Sequence, residues 1–106
     1  MKKYSILMVL VLAFLAWGCN LDPPDIPHSV IYHGNGNTHG YPPTDSNEYS
    51  AGMEAVILGQ GTLGKEGYTF QFWNTSSDGT GDSYNYGDTI EIKNTTIFLY
   101  AVWANL

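Results

Sequence analysis

The sequence predicts a β-rich α+β fold with little helix, formed by one small domain behind an N-terminal signal segment. From Ser29 onward, short runs of β-branched, aromatic and aliphatic residues occur, and several of them alternate with polar residues at the two-residue period of a strand. Clusters of Gly, Asn, Asp, Ser and Pro, which favour turns, separate these runs. The first 19 residues, in contrast, carry two lysines followed by a long apolar run.

The N-terminal segment has the layout of a secretory signal. Lys2 and Lys3 precede an apolar run from Ile6 to Trp17, which is shorter than the roughly 20 residues of a comfortable bilayer span. Gly18 and Cys19 follow, and Cys19 is the only cysteine of the 106 residues. This arrangement resembles the lipobox of bacterial lipoproteins, which implies a signal peptide at 1–18 and a lipid on Cys19. An uncleaved anchor or an incidental cysteine is the alternative.

Residues 19–28 are predicted to form a stiff tether behind the lipidated cysteine. Residues 20–28 read NLDPPDIPH, and proline fixes φ and removes a backbone donor, so the segment favours an extended conformation. It would hold the domain of residues 29–106 a short way off a membrane. The alternative is a proline-rich start to the first strand.

The charge of the chain excludes one class of partner. After Cys19, two lysines and no arginine stand against ten carboxylates, a formal side-chain balance of −8. Nucleic acids and anionic glycans require clustered basic side chains. We therefore expect no nucleic-acid binding.

Five segments are predicted as strands. They are, in chain order, Ser29–His33, Glu54–Leu58, Tyr68–Trp73, Thr89–Lys93 and Thr96–Trp103. Alternation places Tyr68, Phe70 and Phe72 on one face, and the last segment is apolar on both faces, as in a central strand. The residues expected in the core are Phe70, Ile90, Ile92, Leu99 and Ala101. A single helical turn is expected within Thr44–Ala51, where Asp45 or Ser46 would cap it.

A series of motifs runs through the domain. They are VIYHGNG at 30–36, DSNEYSAG at 45–52, VILGQGTL at 56–63, GYTFQFWNT at 67–75, DGTG at 78–81, GDTI at 87–90 and LYAVW at 99–103. Together they resemble the internalin B-repeat family, also called the Listeria–Bacteroides repeat, over 29–104. Phe72 stands where the family usually has glycine. The resemblance implies a small β-grasp-like, ubiquitin-like domain with a role in spacing or protein contact on bacterial surfaces.

The candidate binding residues are aromatic. Tyr84 and Tyr86 lie in a predicted loop beside acidic residues, and Phe72 and Trp73 lie at the end of a predicted strand. Tyrosine and tryptophan side chains commonly dominate binding energy. For Trp73 the structural interpretation, a place in the core with Asn74 capping the next turn, is expected ahead of stacking on a ligand. For the tyrosines, the structural interpretation is the ordinary composition of a β domain.

The sequence contains no motif typical of catalysis or metal binding. The segment 78–82, DGTGD, resembles a calcium loop only faintly and lacks EF-hand spacing, and the three histidines lack zinc-site spacing. No nucleophile and base occur in a known arrangement. We expect no enzyme activity, no cofactor and no metal.

The function that these observations favour is a non-enzymatic, lipid-anchored interaction or adhesion module of the bacterial cell envelope. Its partners would be the membrane, through Cys19, and a protein or glycan. A carbohydrate-binding module using exposed aromatic residues is the first alternative. A small envelope enzyme is the second, and would require a cleft with convergent polar groups.

Replacing Cys19 tests the lipid anchor. Cys19→Ser is expected to leave the protein unprocessed or soluble, because stable anchoring takes about two acyl chains. Membrane fractionation, with mass spectrometry of the N-terminus, measures this. A serine variant that is still processed and still sediments with membranes contradicts the lipoprotein interpretation.

Overall fold

The computed structural model describes residues 26–106, so Cys19, the signal segment and most of the tether lie outside the described residues. The strands are β1 (Val30–His33), β2 (Glu54–Val56), β3 (Tyr68–Asn74), β4 (Ser83–Tyr84), β5 (Thr89–Glu91) and β6 (Ile97–Asn105). The β-rich prediction is confirmed. The α+β assignment is wrong for residues 26–106, which contain no helix and therefore no helix able to cross a membrane.

The helical turn expected at Thr44–Ala51 does not form. The backbone N–H and C=O of Tyr49 are both bonded to His28, each at 2.8 Å. These extended bonds occupy the two groups that a helix would bond along its own axis. Asp45 still acts locally, because its Oδ1 accepts the N–H of Asn47 at 2.9 Å and its Oδ2 accepts the Tyr49 hydroxyl at 2.6 Å. The result is an extended segment with an Asx turn.

The strands form two sheets. The larger is a mixed sheet in the order β1-β6-β3-β4, in which β1 is parallel to β6 and the other neighbours are antiparallel. The smaller is the antiparallel pair β2-β5, with Ala55 opposite Ile90. A parallel pair needs a long connection, and here residues 34–96, which include the small sheet, lie between β1 and β6 in the chain.

A β-bulge in β3 changes the face on which its aromatic residues lie. The register against β6 shifts between Phe70 and Phe72, so Gln71 is the extra residue. Before the bulge Phe70 packs against the core, and after it Trp73 does so while Phe72 lies on the opposite face. The prediction that Tyr68, Phe70 and Phe72 share one face is therefore wrong.

The core forms between the two sheets. Its buried hydrophobic residues are Val30, Tyr32, Tyr49, Ala55, Ile57, Leu63, Trp73, Ile90, Ile92, Leu99 and Ala101. Burial is confirmed for four of the five residues expected there. Phe70 is only half-buried, with its ring edge-on to Trp73 at 5.0 Å and to Trp103 at 5.9 Å.

Two side chains of the large sheet form hydrogen bonds to the backbone of Leu58, just after β2 ends. The indole Nε1 of Trp73 donates to the carbonyl of Leu58 at 2.9 Å, and the Leu58 N–H donates to the hydroxyl of Tyr32 at 3.0 Å. The rings of Trp73 and Tyr32 meet edge-on at 4.8 Å. Burial is the main reason that the pKa of Tyr32 lies above its ordinary value. The backbone N–H and C=O of Leu58 are thus both bonded to side chains of the large sheet.

The extent of burial predicts which of two truncated side chains costs the domain more unfolding free energy. Leu99→Ala is expected to lower the free energy of unfolding by about 3–5 kcal/mol, because the side chain is fully buried. Phe70→Ala is expected to lower it by only about 2 kcal/mol, because the half-buried ring already contacts water. Urea denaturation of both variants measures the two values. A larger loss for Phe70→Ala contradicts the side-chain packing described for β3.

The indole bond of Trp73 is testable against a matched tryptophan. Trp73→Phe keeps most of the ring but leaves the Leu58 carbonyl without its donor, at a cost of about 1–3 kcal/mol in unfolding free energy. Trp103 makes an equivalent 2.9 Å bond to the Gly34 carbonyl, but its side chain is partly exposed. Trp103→Phe should therefore cost less, since water can replace the donor. Equal losses of unfolding free energy would refute a special role for the Leu58 contact.

Candidate functional site

The structure separates the four predicted binding residues. Trp73 has no exposed surface and cannot stack on a ligand, so its place is in the core. Tyr84 lies opposite Trp73 in the β3-β4 register and is half-buried against the core. Tyr86 is 78% exposed, as expected for a loop residue, whereas Phe72 is partly exposed on the far face of the sheet. The four side chains therefore form no common surface.

The loop that carries Tyr86 is held by one hydrogen bond to a side chain and one between backbone groups. The Asp88 carboxylate accepts the N–H of Asn85 at 2.7 Å, and the N–H of Gly87 donates to the Ile57 carbonyl at 2.9 Å. Gly87 has φ of 89°, a conformation that L residues with side chains rarely adopt. The Tyr86 ring lies over Gly59, where an added Cβ would approach it to 3.4 Å. The exposed ring is thus fixed at its base.

A second loop is organised by buried Asn74. Its Oδ1 accepts the N–H groups of Ser76 at 2.8 Å and Gly81 at 3.0 Å, while its Nδ2 bonds the carbonyl of Gly81 at 3.2 Å. The expected capping role of Asn74 is confirmed. The Asp78 carboxylate of this loop accepts two hydroxyl bonds, from Ser76 at 2.5 Å and Thr80 at 2.7 Å. These donors lower the pKa of Asp78 to about 2.

The internal bonds of this loop bear on the faint resemblance to a calcium site. The Oδ1 atom of Asp78 already accepts three bonds, including one from the N–H of Thr80 at 3.1 Å. Within residues 26–106, no group of three or more His, Cys, Asp or Glu side chains is arranged to hold a metal ion. The carboxylate therefore serves the loop itself.

The large sheet has an aromatic face that points away from the core, here called the outer sheet face. On β1 and β6, the residues of this face alternate with core residues. On β3, Phe72 belongs to it because Phe72 is opposite Val102. The members are Ile31, His33, Phe72, Phe98, Tyr100 and Val102. Phe98 is 45% exposed and Ile31, its register partner, is 40% exposed. The outer sheet face is therefore incompletely covered by the described residues.

The rings of the outer sheet face are ordered by stacking. The His33 ring lies 4.9 Å from Tyr100 with 14° between their planes, and 5.9 Å from Phe98 with 23°. His33 is opposite Tyr100 in the parallel register, and Phe98 is two residues earlier on the same face. At these distances, nearly parallel rings turn their faces to one another and their edges outward, so they form a pre-ordered aromatic stack. Such a stack can receive an apolar side chain.

The predictions from sequence missed this aromatic stack. The sequence pattern that indicates it was recognised, because residues 96–103 were described as apolar on both faces. A strand of that kind was expected to be covered on both sides. In the structure the core covers one side, and the other side carries Phe98 and Tyr100 on the outer sheet face.

Comparison with known proteins places the chain in a family. The model of the Listeria-Bacteroides repeat domain matches residues 28–102. A protein of Evansella cellulosilytica named "Putative membrane protein" is 42% identical over 79 residues, which cover 74% of this chain and 12% of that protein. A second protein of that organism, named "Putative Gly-rich membrane protein", is 40% identical over 77 residues, covering 72% of this chain and 9% of its own length.

The chain thus spans only a small part of the length of each of these relatives. No solved structure matches it significantly. The family match covers most of the chain and includes all six strands of the described residues, apart from the end of β6. The resemblance inferred from the motifs is confirmed, and the chain belongs to the Listeria-Bacteroides repeat domain family.

Proposed function

We propose that this protein is a non-enzymatic interaction module of the bacterial cell envelope, anchored by a lipid on Cys19, and that it binds a protein partner through the outer sheet face. The observation that carries the proposal is the exposure of Phe98 and Ile31 beside the stacked His33 ring. An incompletely covered apolar surface costs solubility, and on monomeric proteins such patches commonly mark contact sites. Aromatic side chains at the centre of a contact supply much of its energy.

The proposed location rests on two independent features. The sequence before the domain has the layout of a lipoprotein signal, and the two relatives are named as membrane proteins. A surface module on an anchored tether needs no large buried cleft, since its partner comes to an open face. We also propose a β-grasp-like arrangement for the domain, supported by the parallel pairing of β1 with the final strand in a mixed sheet.

A carbohydrate-binding module remains the second candidate. The observation that favours it is the 45% exposed ring of Phe98 beside the stack of His33 and Tyr100, because an exposed aromatic ring can pack against a sugar ring. Tyr100 would also supply a hydroxyl for hydrogen bonding at the edge of that stack. The acidic balance of the chain restricts this alternative to neutral or basic glycans.

The proposal is tested by binding of the full chain, tagged and held in mild detergent, to intact bacterial cells. Phe98→Ala is expected to lower the apparent affinity roughly tenfold, since losing a central aromatic contact costs more than about 1.4 kcal/mol. Protease treatment of the cells should remove the binding sites. Binding that survives protease and is displaced by soluble cell-wall oligosaccharides supports the carbohydrate alternative.

Two exposed tyrosines provide controls. Tyr41 is 82% exposed and lies outside the outer sheet face, so Tyr41→Ala should leave the affinity unchanged. Tyr86→Ala tests the loop that the sequence analysis predicted as a binding site. Loss of binding in Tyr86→Ala with full binding in Phe98→Ala would move the contact to the loop and contradict the proposal. Circular dichroism of each variant checks that the fold is intact.

A further inference from the structure

A second surface, here called the acidic groove, lies between the extended segment 45–49 and β2. It encloses about 400 Å³ and is separate from the outer sheet face, since the two share no lining residue. Tyr49, Met53, Val56 and Leu58 supply its apolar lining. Val56 is 54% exposed and Met53 is 47% exposed, so this lining is open to solvent. The groove therefore presents apolar area that the domain itself leaves uncovered.

The charges around the groove have one sign. Asp45, Glu48 and Glu54 line it, and no lysine does. Asp45 is engaged by the Tyr49 hydroxyl, whereas Glu48 and Glu54 are exposed. Neither lysine of the described part of the chain lines the groove. Lys93 pairs at 3.2 Å with Glu91, the residue opposite Glu54 in the β2-β5 register, and Lys65 lies over the Tyr68 ring. Because Lys93 is engaged by Glu91, the three carboxylates that line the groove have no lysine partner within residues 26–106.

The backbone beside the groove limits the shape of a partner. β2 pairs with β5 on one side, and within residues 26–106 no strand pairs with its other side. Such an edge can accept an extended segment through main-chain hydrogen bonds. Successive residues of an extended segment point to opposite sides. The exposed side chains of Glu54 and Val56 lie on one face of β2, with buried Ala55 between them on the other. The side chains of a bound segment that reach the groove are therefore two residues apart.

We propose that the acidic groove binds an extended basic peptide segment in which every second residue faces the groove, and in which these facing residues are in turn lysine or arginine and a small aliphatic residue. The aliphatic side chains contact Met53, Val56 and Leu58, and the basic side chains pair with Glu48 and Glu54. This complementarity of charge and shape excludes acidic and neutral polar segments, because they would leave the carboxylates facing like charge or no charge. The site does not depend on the outer sheet face, so either can fail alone.

The probe is a fluorescent synthetic peptide of sequence Lys-Ser-Val-Ser-Lys-Ser-Val-Ser-Lys, titrated with the full chain in mild detergent and followed by anisotropy. Glu54→Lys is expected to weaken binding roughly tenfold, by replacing an attractive rim charge with a repulsive one. Val56→Ser should weaken it by a similar factor while leaving the melting temperature nearly unchanged, since the side chain is more than half exposed. Phe98→Ala should bind this peptide normally.

Three controls separate the groove from general charge attraction. Glu66→Lys makes the same charge change at an exposed site that does not line the groove, and should leave the affinity within about twofold. A peptide with glycine in place of valine should bind much more weakly, and one with glutamate in place of lysine should not bind. Equal losses in Glu66→Lys and Glu54→Lys, or equal binding of the glycine peptide, would overturn the proposal.

Discussion

Hydrogen bonds to the backbone N–H and C=O of Leu58 link the small sheet to the large one. One sheet has only two short strands, and neither shares a backbone ladder with the larger sheet. The chain leaving β2 is instead bonded to the large sheet by Trp73 and Tyr32, one through its indole N–H and the other through its hydroxyl. A small domain has little surplus stability, so a partly buried residue whose backbone N–H and C=O are both bonded matters more here than in a large protein. The aromatic pair supplies core volume and polar partners together.

The bulge in β3 makes that junction possible. Without the extra residue, Trp73 and Phe70 would lie on opposite faces of the strand, because their separation is three residues. With Gln71 unpaired, both rings face the core, and Phe72 is directed to the other face beside Val102. One inserted residue therefore serves both sides of the sheet, completing the core and adding to the outer sheet face.

The sequence was sufficient to place five strands and part of the core, because alternation and turn residues act locally. It could not reveal the bulge, since a bulge depends on the partner strand. β4 has two residues, too few to show a period. The segment around Tyr49 was misread because its polar residues favour a helix start, yet bonds to His28 hold it extended. Trp73 and Tyr84 were chosen for their chemistry, but burial is set by the whole fold. The acidic groove joins residues that are close only after folding.

The parallel pairing of β1 with β6 determines how the domain carries force. Val30 is in register with Ile97, so the chain enters and leaves the sheet at opposite ends, about 30 Å apart along nine residues of β6. A pull on these two ends acts along the strands and across their hydrogen bonds. The bonds of the β1-β6 ladder would then share the load and break together, whereas a hairpin pulled from its open end breaks one bond at a time. A unit built in this way resists extension until the whole ladder gives way.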